Sequence, residues 1–238
     1  MITRDHTCNR TCSHVMTCDF ATCSCGIFVR AKFLKESSKV IAPFLPEMFN
    51  LSSTLGIFLD VWKHVRVSPI YKSGDKEDCS NYRPISVVSV VSKLFEKLVY
   101  TEINNYLNKN YILTPFQSGF RKGHSTSTSL LKTTNTWLVN MDQGLINGII
   151  FLDLKNAFDT VDHNILIKKL ELYGIKDVAL RWFISYLSNR TQVCKVGRTY
   201  SSKKYIKTGV PQGSNLGPLL FLLYINDLPN CLNPYSVC

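Results

Sequence analysis

Two carboxylates at the end of an apolar segment are the residues best suited to metal chemistry. Asp153 interrupts the apolar run from Ile149 to Leu154, and Asp159 follows six residues later. Successive bulky apolar residues predict a strand covered on both faces, where a lone carboxylate is costly to bury without a cation. Mg²⁺ suits such a position, because it is usually held by one or two carboxylates together with phosphate oxygens. The alternative is that Asp153 only ends a strand and that Asp159 or Asp162 caps the next helix.

Two glycine-containing segments could contact a phosphate or a base. Gln117 to Thr126 places Arg121 between two glycines and before a Ser/Thr-rich helix start. Glycine lets the backbone approach a ligand, and the guanidinium fork matches phosphate oxygens. Gly209 to Pro218 precedes an apolar helix, where backbone donors could meet a phosphate or the loop could lie against a base. Taken alone, each segment is more simply interpreted as a turn.

Alternating and helical apolar patterns predict the elements that position these segments. A strand is predicted over Val65 to Lys72, followed by a turn at Ser73 to Lys76, and paired strands over Gln192 to Val196 and Lys204 to Thr208. Helices are predicted in six places: from Val40 to near Gly56, Ser92 to Asn108, Thr126 to Met141, Asp162 to Tyr173, Asp177 to Leu187 and Leu219 to Ile225.

The composition limits the class of protein. The 238 residues are 45% hydrophobic, which is enough to fill one core near the upper size for a single domain and excludes a disordered tail. Lys and Arg number 28 against 17 Asp and Glu, giving a formal net charge of +11. This balance favours polyanionic partners such as nucleic acid, although charge alone does not identify one.

The sequence predicts an intracellular protein, cytoplasmic or nuclear, without a membrane partner. Its longest apolar run, Leu219 to Ile225, is far shorter than the roughly 20 residues that span a bilayer. The first residues lack the apolar core of a signal peptide.

The amino-terminal stretch is rich in cysteine. Five of the nine cysteines lie in the first 25 residues, with His6 and His14 among them. A zinc site is conceivable, but the spacings do not reproduce two matched Cys-x₂-Cys pairs. We therefore predict that residues 1–39 form an unstructured leader, or coding sequence foreign to the domain, and that residues 40–238 form the domain.

Four segments, in this order, resemble the reverse transcriptase domain of non-LTR (LINE-type) retrotransposons of the jockey-like kind. They are Asn81 to Ser86, Gln117 to Thr126, Phe151 to Asp162, and Gly209 to Ser214 with Leu216 to Phe221. The resemblance extends from about Val40 to Leu232. It implies an α+β fold of the right-hand polymerase type, with fingers, a partial palm whose antiparallel sheet is backed by helices, and no thumb.

The same resemblance implies roles for single residues. Asp153 is similar to the first metal-binding aspartate of the palm, with the Leu154 carbonyl reaching the second of two Mg²⁺ ions. Phe158 corresponds to the residue that lies under the incoming sugar and excludes a 2′-hydroxyl. Residues expected at the nucleotide triphosphate, base or template are Arg121, Arg83, Lys72, Gln212 and Gly213.

The implied reaction is attack of a primer 3′-hydroxyl on the α-phosphate of a nucleotide. Two Mg²⁺ ions would stabilise the attacking and leaving oxygens, and positioning would do much of the remaining catalysis. The implied partners are an RNA template, a DNA primer and deoxynucleoside triphosphates.

Two departures from the family pattern bear on activity. Asn156 stands where a lysine usually precedes Ala-Phe-Asp, and the 238 residues contain no Tyr/Phe-Ala-Asp-Asp motif. Asp227, at the end of the last predicted helix, is a poor substitute, because a two-metal site needs several carboxylates. We expect a fragment truncated before this motif and inactive in isolation; the alternative is a catalytically dead remnant that at most binds nucleic acid non-specifically.

Overall fold

A computed structural model describes residues 31–232. The helices are α1 (Ala31–Glu36), α2 (Ser38–Ile41), α3 (Phe44–Leu55), α4 (Val90–Lys109), α5 (Thr126–Asp142), α6 (His163–Leu172), α7 (Asp177–Leu187) and α8 (Gly217–Ile225). The strands are β1 (His64–Tyr71), β2 (Tyr82–Val87), β3 (Thr191–Val196), β4 (Thr199–Tyr200) and β5 (Lys204–Tyr205). Short 3-10 helices occupy Asp60–Trp62, Cys79–Asn81 and Leu228–Leu232. Most of the predicted leader, residues 1–30, lies outside the described residues.

The strands form one mixed sheet in the order β2-β1-β3-β4, with β5 also paired to β3. β1 pairs antiparallel with β2 and parallel with β3, from His64 opposite Thr191 to Val67 opposite Cys194. The predicted antiparallel sheet is therefore wrong in this part of the chain. The parallel pair is possible because four helices separate β1 from β3, and parallel neighbours need such a long crossover.

An aromatic cluster forms the centre of the core between α3, α4, α7 and the first 3-10 helix. Phe49 stacks on Phe95 with ring centroids 4.6 Å apart, and Phe58 meets Trp182 edge to face at 5.4 Å. These side chains are buried. Aromatic rings contribute large buried areas, with a preference for such stacked and edge-to-face geometries.

Three of the predicted helix ends are confirmed, whereas α4 begins at Val90 and not at the predicted Ser92. Gly56 follows α3 with φ of 68°, and Gly174 follows the last turn of α6 with φ of 88°. The Asp162 side chain accepts hydrogen bonds from the amides of Asn164 and Ile165 at the start of α6. Helix α8 is apolar on all sides and buried over most of its length, as expected for a helix inside a core.

The segment predicted to be a buried metal-binding strand is neither buried nor a strand. Residues 145–154 have no regular structure, and Ile150 and Phe151 are 86% and 87% exposed. Helix α5, just before them, buries no residue, and its Leu131 is 70% exposed. A strand needs a neighbour to satisfy its backbone groups, and no strand among residues 31–232 pairs with this segment. We call α5 and residues 145–154 together the apolar arm.

Between Ala31 and Leu232, no helix is long and apolar enough to cross a membrane.

Candidate functional site

The loop from Gly209 to Gly213 lies between the turn at residues 158–161 and the outer edge of β2. The amide of Gly209 donates to the Val161 carbonyl at 2.7 Å, and the next amide donates to the Phe158 carbonyl at 2.8 Å. On the other side, the Ser86 amide of β2 donates to the Gln212 carbonyl at 2.7 Å. The loop therefore joins two segments that are far apart in sequence.

Glycine is required at both ends of this loop. Gly209 has φ of +87°, and a Cβ there would lie 2.8 Å from the Cα and carbonyl oxygen of Asp159. Gly213 has φ of +111°, and its Cβ would lie 2.7 Å from the Ser86 carbonyl oxygen. Both positions combine a left-handed backbone with a close approach to another backbone, which only glycine tolerates.

The loop brings Gln212 to a carboxylate. Its Nε2 lies 3.1 and 3.2 Å from the two carboxylate oxygens of Asp159. Asp159 is exposed, so the amide and carboxylate face solvent beside the loop. Asp159 is thus tied to the loop, and the helix-capping role that the sequence left open falls to Asp162.

Phe158 lies in a row of three aromatic rings. It stacks on Phe221 of α8 at 4.8 Å between centroids and meets Phe120 edge to face at 5.8 Å. Phe120 belongs to the Gln117 to Thr126 segment and has φ of 57°. The ring contact therefore joins this basic segment to the turn that carries Phe158.

Arg121, next to Phe120, hydrogen-bonds within its own segment. Its Nη1 donates to the carbonyl oxygens of Thr114 at 2.9 Å and Gln117 at 3.2 Å. The guanidinium is only half-buried and has five N–H donors, so these two contacts leave donors available for a phosphate.

Arg83 and Lys72 lie near the tip of the β1-β2 hairpin. Arg83 is opposite Ile70, and the amide of Lys72 donates to the Asn81 carbonyl at 2.9 Å. Both side chains are exposed. In the turn, Asp78 accepts hydrogen bonds from Ser80, which hold the pKa of this carboxyl below its usual value. The hairpin thus presents two cations at one end of β2, while Gln212 and Gly213 contact its other end.

Asp153 and Leu154 lie on the exposed apolar arm and have no place in this arrangement. Among residues 31–232, no group of three or more His, Cys, Asp or Glu side chains converges to hold a metal ion. The described residues therefore do not fit the two-metal centre that the resemblance implies. Asp227 is no substitute, because its carboxylate pairs with Lys169, a hydrogen bond that lowers its pKa.

A buried carboxylate that the sequence analysis missed anchors the same loop from behind. Glu96 of α4 is fully buried, and its Oε2 accepts the Asn215 amide at 2.8 Å. Its Oε1 accepts from the hydroxyls of Ser92 at 3.2 Å and Tyr186 at 3.4 Å. Burial raises the pKa of this carboxyl, although the bonded amides, that of Leu216 included, oppose the rise. The signal available in the sequence was its helical spacing, because Glu96 lies three and seven residues before the inward-facing Val99 and Ile103.

A buried cation lies near Glu96. Arg190 is fully buried, its Nη1 donates to the Tyr186 carbonyl at 3.0 Å, and its guanidinium lies 4.8 Å from the Tyr186 ring centroid. Its Nε and Nη2 have no hydrogen-bond partner among residues 31–232. Burial also raises the pKa of the Tyr186 hydroxyl. A buried charge is tolerated when an opposite charge is near, so Arg190 and Glu96 offset each other behind the loop.

Comparisons with known proteins identify the family of the chain. A family model described as reverse transcriptase (RNA-dependent DNA polymerase) matches residues 71–237. The probable RNA-directed DNA polymerase from transposon BS of Drosophila melanogaster is 35% identical over 201 residues, 82% of this chain and 21% of that protein. That of the X-element, from the same species, is 34% identical over 82% of this chain and 22% of its own length. The RNA-directed DNA polymerase from mobile element jockey of D. melanogaster is 33% identical over 78% of this chain and 20% of its own length. The chain spans about a fifth of the length of these relatives.

Proposed function

Because the chain belongs to the reverse transcriptase family, we propose that it supplies the nucleotide- and template-binding part of an RNA-directed DNA polymerase. It is a reverse transcriptase domain of the kind found in jockey-like non-LTR mobile elements. The intact polymerase would use an RNA template, a DNA primer and deoxynucleoside triphosphates, in the nucleus or cytoplasm where such templates occur.

One observation carries this proposal: segments from four distant parts of the chain meet around Phe158 and Gln212. Phe120 contacts the Phe158 ring, Gln212 bonds Asp159, and the same loop bonds Ser86 of β2. If these segments served only as turns, their side chains would not need to contact one another. Their convergence supports a shared ligand.

The side chains present supply binding and orientation rather than a complete catalytic centre. Arg83 and Lys72 lie at the tip of a hairpin, where they could contact a triphosphate, and Arg121 has free donors for the same purpose. The Phe158 ring, fixed by Phe221, would lie against the sugar and exclude a 2′-hydroxyl. Gln212 and Gly213 would contact the base or the template.

Reverse transcriptases generally use a divalent metal ion, and we propose Mg²⁺ for the intact polymerase. Asp153 offers one carboxylate and Leu154 one carbonyl, a ligand set that Mg²⁺ accepts only together with phosphate oxygens and further acids. Residues 31–232 gather no group of three or more potential metal ligands around them. This observation favours a second candidate function for these residues alone, namely nucleic-acid binding without polymerisation.

A chimera tests the proposal. The segment of the jockey polymerase that aligns with this chain over 187 residues would be replaced by the matching residues of this chain. Primer extension on an RNA template should persist. Phe158→Ala should raise incorporation of ribonucleotides relative to deoxyribonucleotides, because removing the ring opens space for the 2′-hydroxyl.

The matched control is Tyr111→Ala, since Tyr111 is an exposed aromatic residue distant from Phe158 in sequence. It should leave sugar discrimination unchanged. A properly folded chimera that extends no primer, or a Phe158→Ala variant that discriminates between sugars as before, would contradict the proposal.

A further inference from the structure

The sheet carries no negative charge of its own. The five strands within residues 31–232 contain no Asp or Glu, and neither does the stretch from residue 190 to 207. Besides the buried Arg190, which faces Glu96, that stretch holds five basic residues that reach solvent: Lys195, Arg198, Lys203, Lys204 and Lys207. Exposed positive charge without acidic neighbours attracts polyanions.

The strand register places two tyrosines on the same face. Tyr200 is opposite Lys195, and Tyr205 is opposite Thr191. Directly opposite residues share a face, and alternate residues of a strand do too, so Lys195, Tyr200 and Tyr205 project together. The two rings are separated by about 13 Å along β3, the length of four strand residues. Lys204, opposite Gln192, projects to the other face.

Only the outer part of this face is open to solvent. His64 of β1 and the buried Thr191 of β3 lie on it together, with the His64 Nδ1 2.5 Å from the Thr191 hydroxyl. Beyond them, Tyr200 and Tyr205 are 54% and 69% exposed. We call Lys195, Tyr200, Lys203 and Tyr205 the tyrosine face.

Each ring of the tyrosine face carries a cation. The Lys195 ammonium lies 5.3 Å from the Tyr200 centroid, and the Lys203 ammonium lies 5.9 Å from the Tyr205 centroid. Burial and then the nearby Lys203 charge lower the pKa of His64, with Asp60 opposing them. The local potential is therefore positive where the rings are exposed.

A ring beside an ammonium suits one class of ligand. Bases of a single strand stack on exposed aromatic rings while the phosphates contact lysines. A closed duplex hides the faces of its bases and can use only the lysines. The two tyrosines lie three strand spacings, about 14 Å, from the β2 edge where Gln212 is bound, so they are separate from the candidate site around Phe158 and Gln212.

We propose that the tyrosine face binds the single-stranded part of the RNA template. The choice of RNA over DNA rests on the proposed function, whereas the preference for a single strand rests on the exposed rings. Binding needs no polymerisation, so the 238-residue chain itself can be tested.

The experiment measures binding of fluorescent RNA-DNA hybrids with a single-stranded RNA overhang, by anisotropy over a range of salt concentrations. The double variant Tyr200→Leu/Tyr205→Leu should weaken binding of the overhang hybrid by about tenfold or more, the scale of base-aromatic stacking. Its affinity for a blunt hybrid should not change. Lys195→Gln/Lys203→Gln should reduce the slope of log affinity against log salt by about 1.4, since each phosphate contact on a single strand contributes about 0.7.

The matched control removes the same charge from other surfaces. Lys204→Gln/Lys168→Gln changes one lysine on the opposite face of the hairpin and one exposed lysine of α6. It should preserve the slope for overhang hybrids. If control and tyrosine-face variants lose affinity equally, or if a blunt hybrid binds as tightly as the overhang hybrid, the surface is only generally basic and the inference is wrong.

Exchanging the RNA overhang for a DNA overhang tests the identity of the strand. Weaker binding of the DNA overhang supports the template assignment, and equal or tighter binding overturns it. Because all substituted side chains except that of Lys195 are exposed, circular dichroism and urea unfolding should match the unsubstituted chain. An inactive jockey chimera would count against the proposed function while leaving this binding result unaffected.

Discussion

The apolar arm and the aromatic core use similar apolar patterns and end in opposite environments. Phe58 in the core is fully buried between Trp182 and Tyr186, whereas Phe151 in the arm is 87% exposed. Helix α7 and helix α5 both carry apolar side chains at helical spacing, yet α7 buries four residues and α5 none. An apolar pattern therefore specifies which surface needs a partner, and only the rest of the fold decides whether that partner is present.

The sharpest test of this comparison concerns one carboxylate from each region. In the jockey chimera, Asp153→Asn in the arm should lower primer extension by several orders of magnitude while leaving hybrid binding almost unchanged. Asp159→Asn in the body, where the carboxylate bonds Gln212, should lower it much less, because the amide keeps one acceptor for that contact. If Asp159→Asn had the larger effect, the active-site carboxylate would be Asp159, six residues further along the chain. The role assigned to Phe158 would then be wrong as well.

The 238-residue chain itself should extend no primer with Mg²⁺ or Mn²⁺. The sequence has no Tyr/Phe-Ala-Asp-Asp motif, and residues 31–232 gather no group of acidic ligands. Gel analysis of labelled primer on an RNA template provides the measurement. Robust template-dependent incorporation would show that the arm reorganises into a metal site unaided.

Truncating one phenylalanine in each region compares their contributions to stability. Phe58→Ala should lower the free energy of unfolding by about 3–5 kcal/mol, as for other buried aromatic residues. Phe151→Ala should change it by less than about 0.5 kcal/mol, as for an exposed position. Urea unfolding monitored by circular dichroism measures both. Comparable losses would mean that the arm packs against the body in solution.

Two glycines with left-handed backbones separate steric clash from backbone strain. Gly209→Ala adds a Cβ that meets the backbone of Asp159, whereas Gly123→Ala meets open space. Their φ angles, +87° and +83°, are nearly equal, and both incur a penalty of about 1–2 kcal/mol for the positive φ, so any larger loss of stability at Gly209 reports the close approach of loop and turn. Equal losses by urea unfolding would mean that the loop does not pack against the turn at residues 158–161.

A smaller effect should appear in the pH dependence of stability. Burial raises the pKa of Glu96 in the folded chain above the ordinary value of 4.5, so the folded state binds a proton more tightly than the unfolded state. The contribution of Glu96 to the free energy of unfolding is therefore fully present below pH 4.5. It is lost as the pH rises through the raised pKa. The loss is about 1.4 kcal/mol for every tenfold difference in proton affinity between the two states.

Glu96→Gln should remove this contribution. The free energy of unfolding is measured in urea for Glu96→Gln and for the unsubstituted chain at several pH values from 4.5 upwards. As the pH rises, the variant should become more stable relative to the unsubstituted chain. Glu102→Gln, at an exposed position of the same helix, is the control and should show no such trend. A difference that is flat with pH for Glu96→Gln would contradict the raised pKa.

Sequence patterns predicted the local elements well. The helical spacing of Leu166 and Leu170 located the buried side of α6, and Gly174 located its end. Alternation located β1 to within one residue at each end. These features depend on short stretches of chain, whose periodicity and caps are visible without knowledge of the rest.

Long-range features could not be predicted in this way. Periodicity could not show that β1 pairs parallel with β3. Nor could it show that Ile165 of α6 and Ile184 of α7 remain exposed. It assigned residues 149–154 to a strand because it cannot detect whether a neighbouring strand exists. In the candidate site, the family resemblance predicted roles for Phe158 and Gln212, and these roles stay predictions. It gave no sign of Glu96, whose carboxylate accepts from an amide 119 residues away.

The parallel pairing of β1 with β3 also governs when this sheet can form. His64 and Thr191 are 127 residues apart, so during synthesis β1 has only β2 to pair with until β3 has been made. Contacts so distant in sequence slow folding, because the loop must close before they stabilise it. Between those two moments the β1 edge is open to strands of other chains. Newly made chains should therefore depend on chaperones until β3 has been translated, whatever the stability of the finished fold.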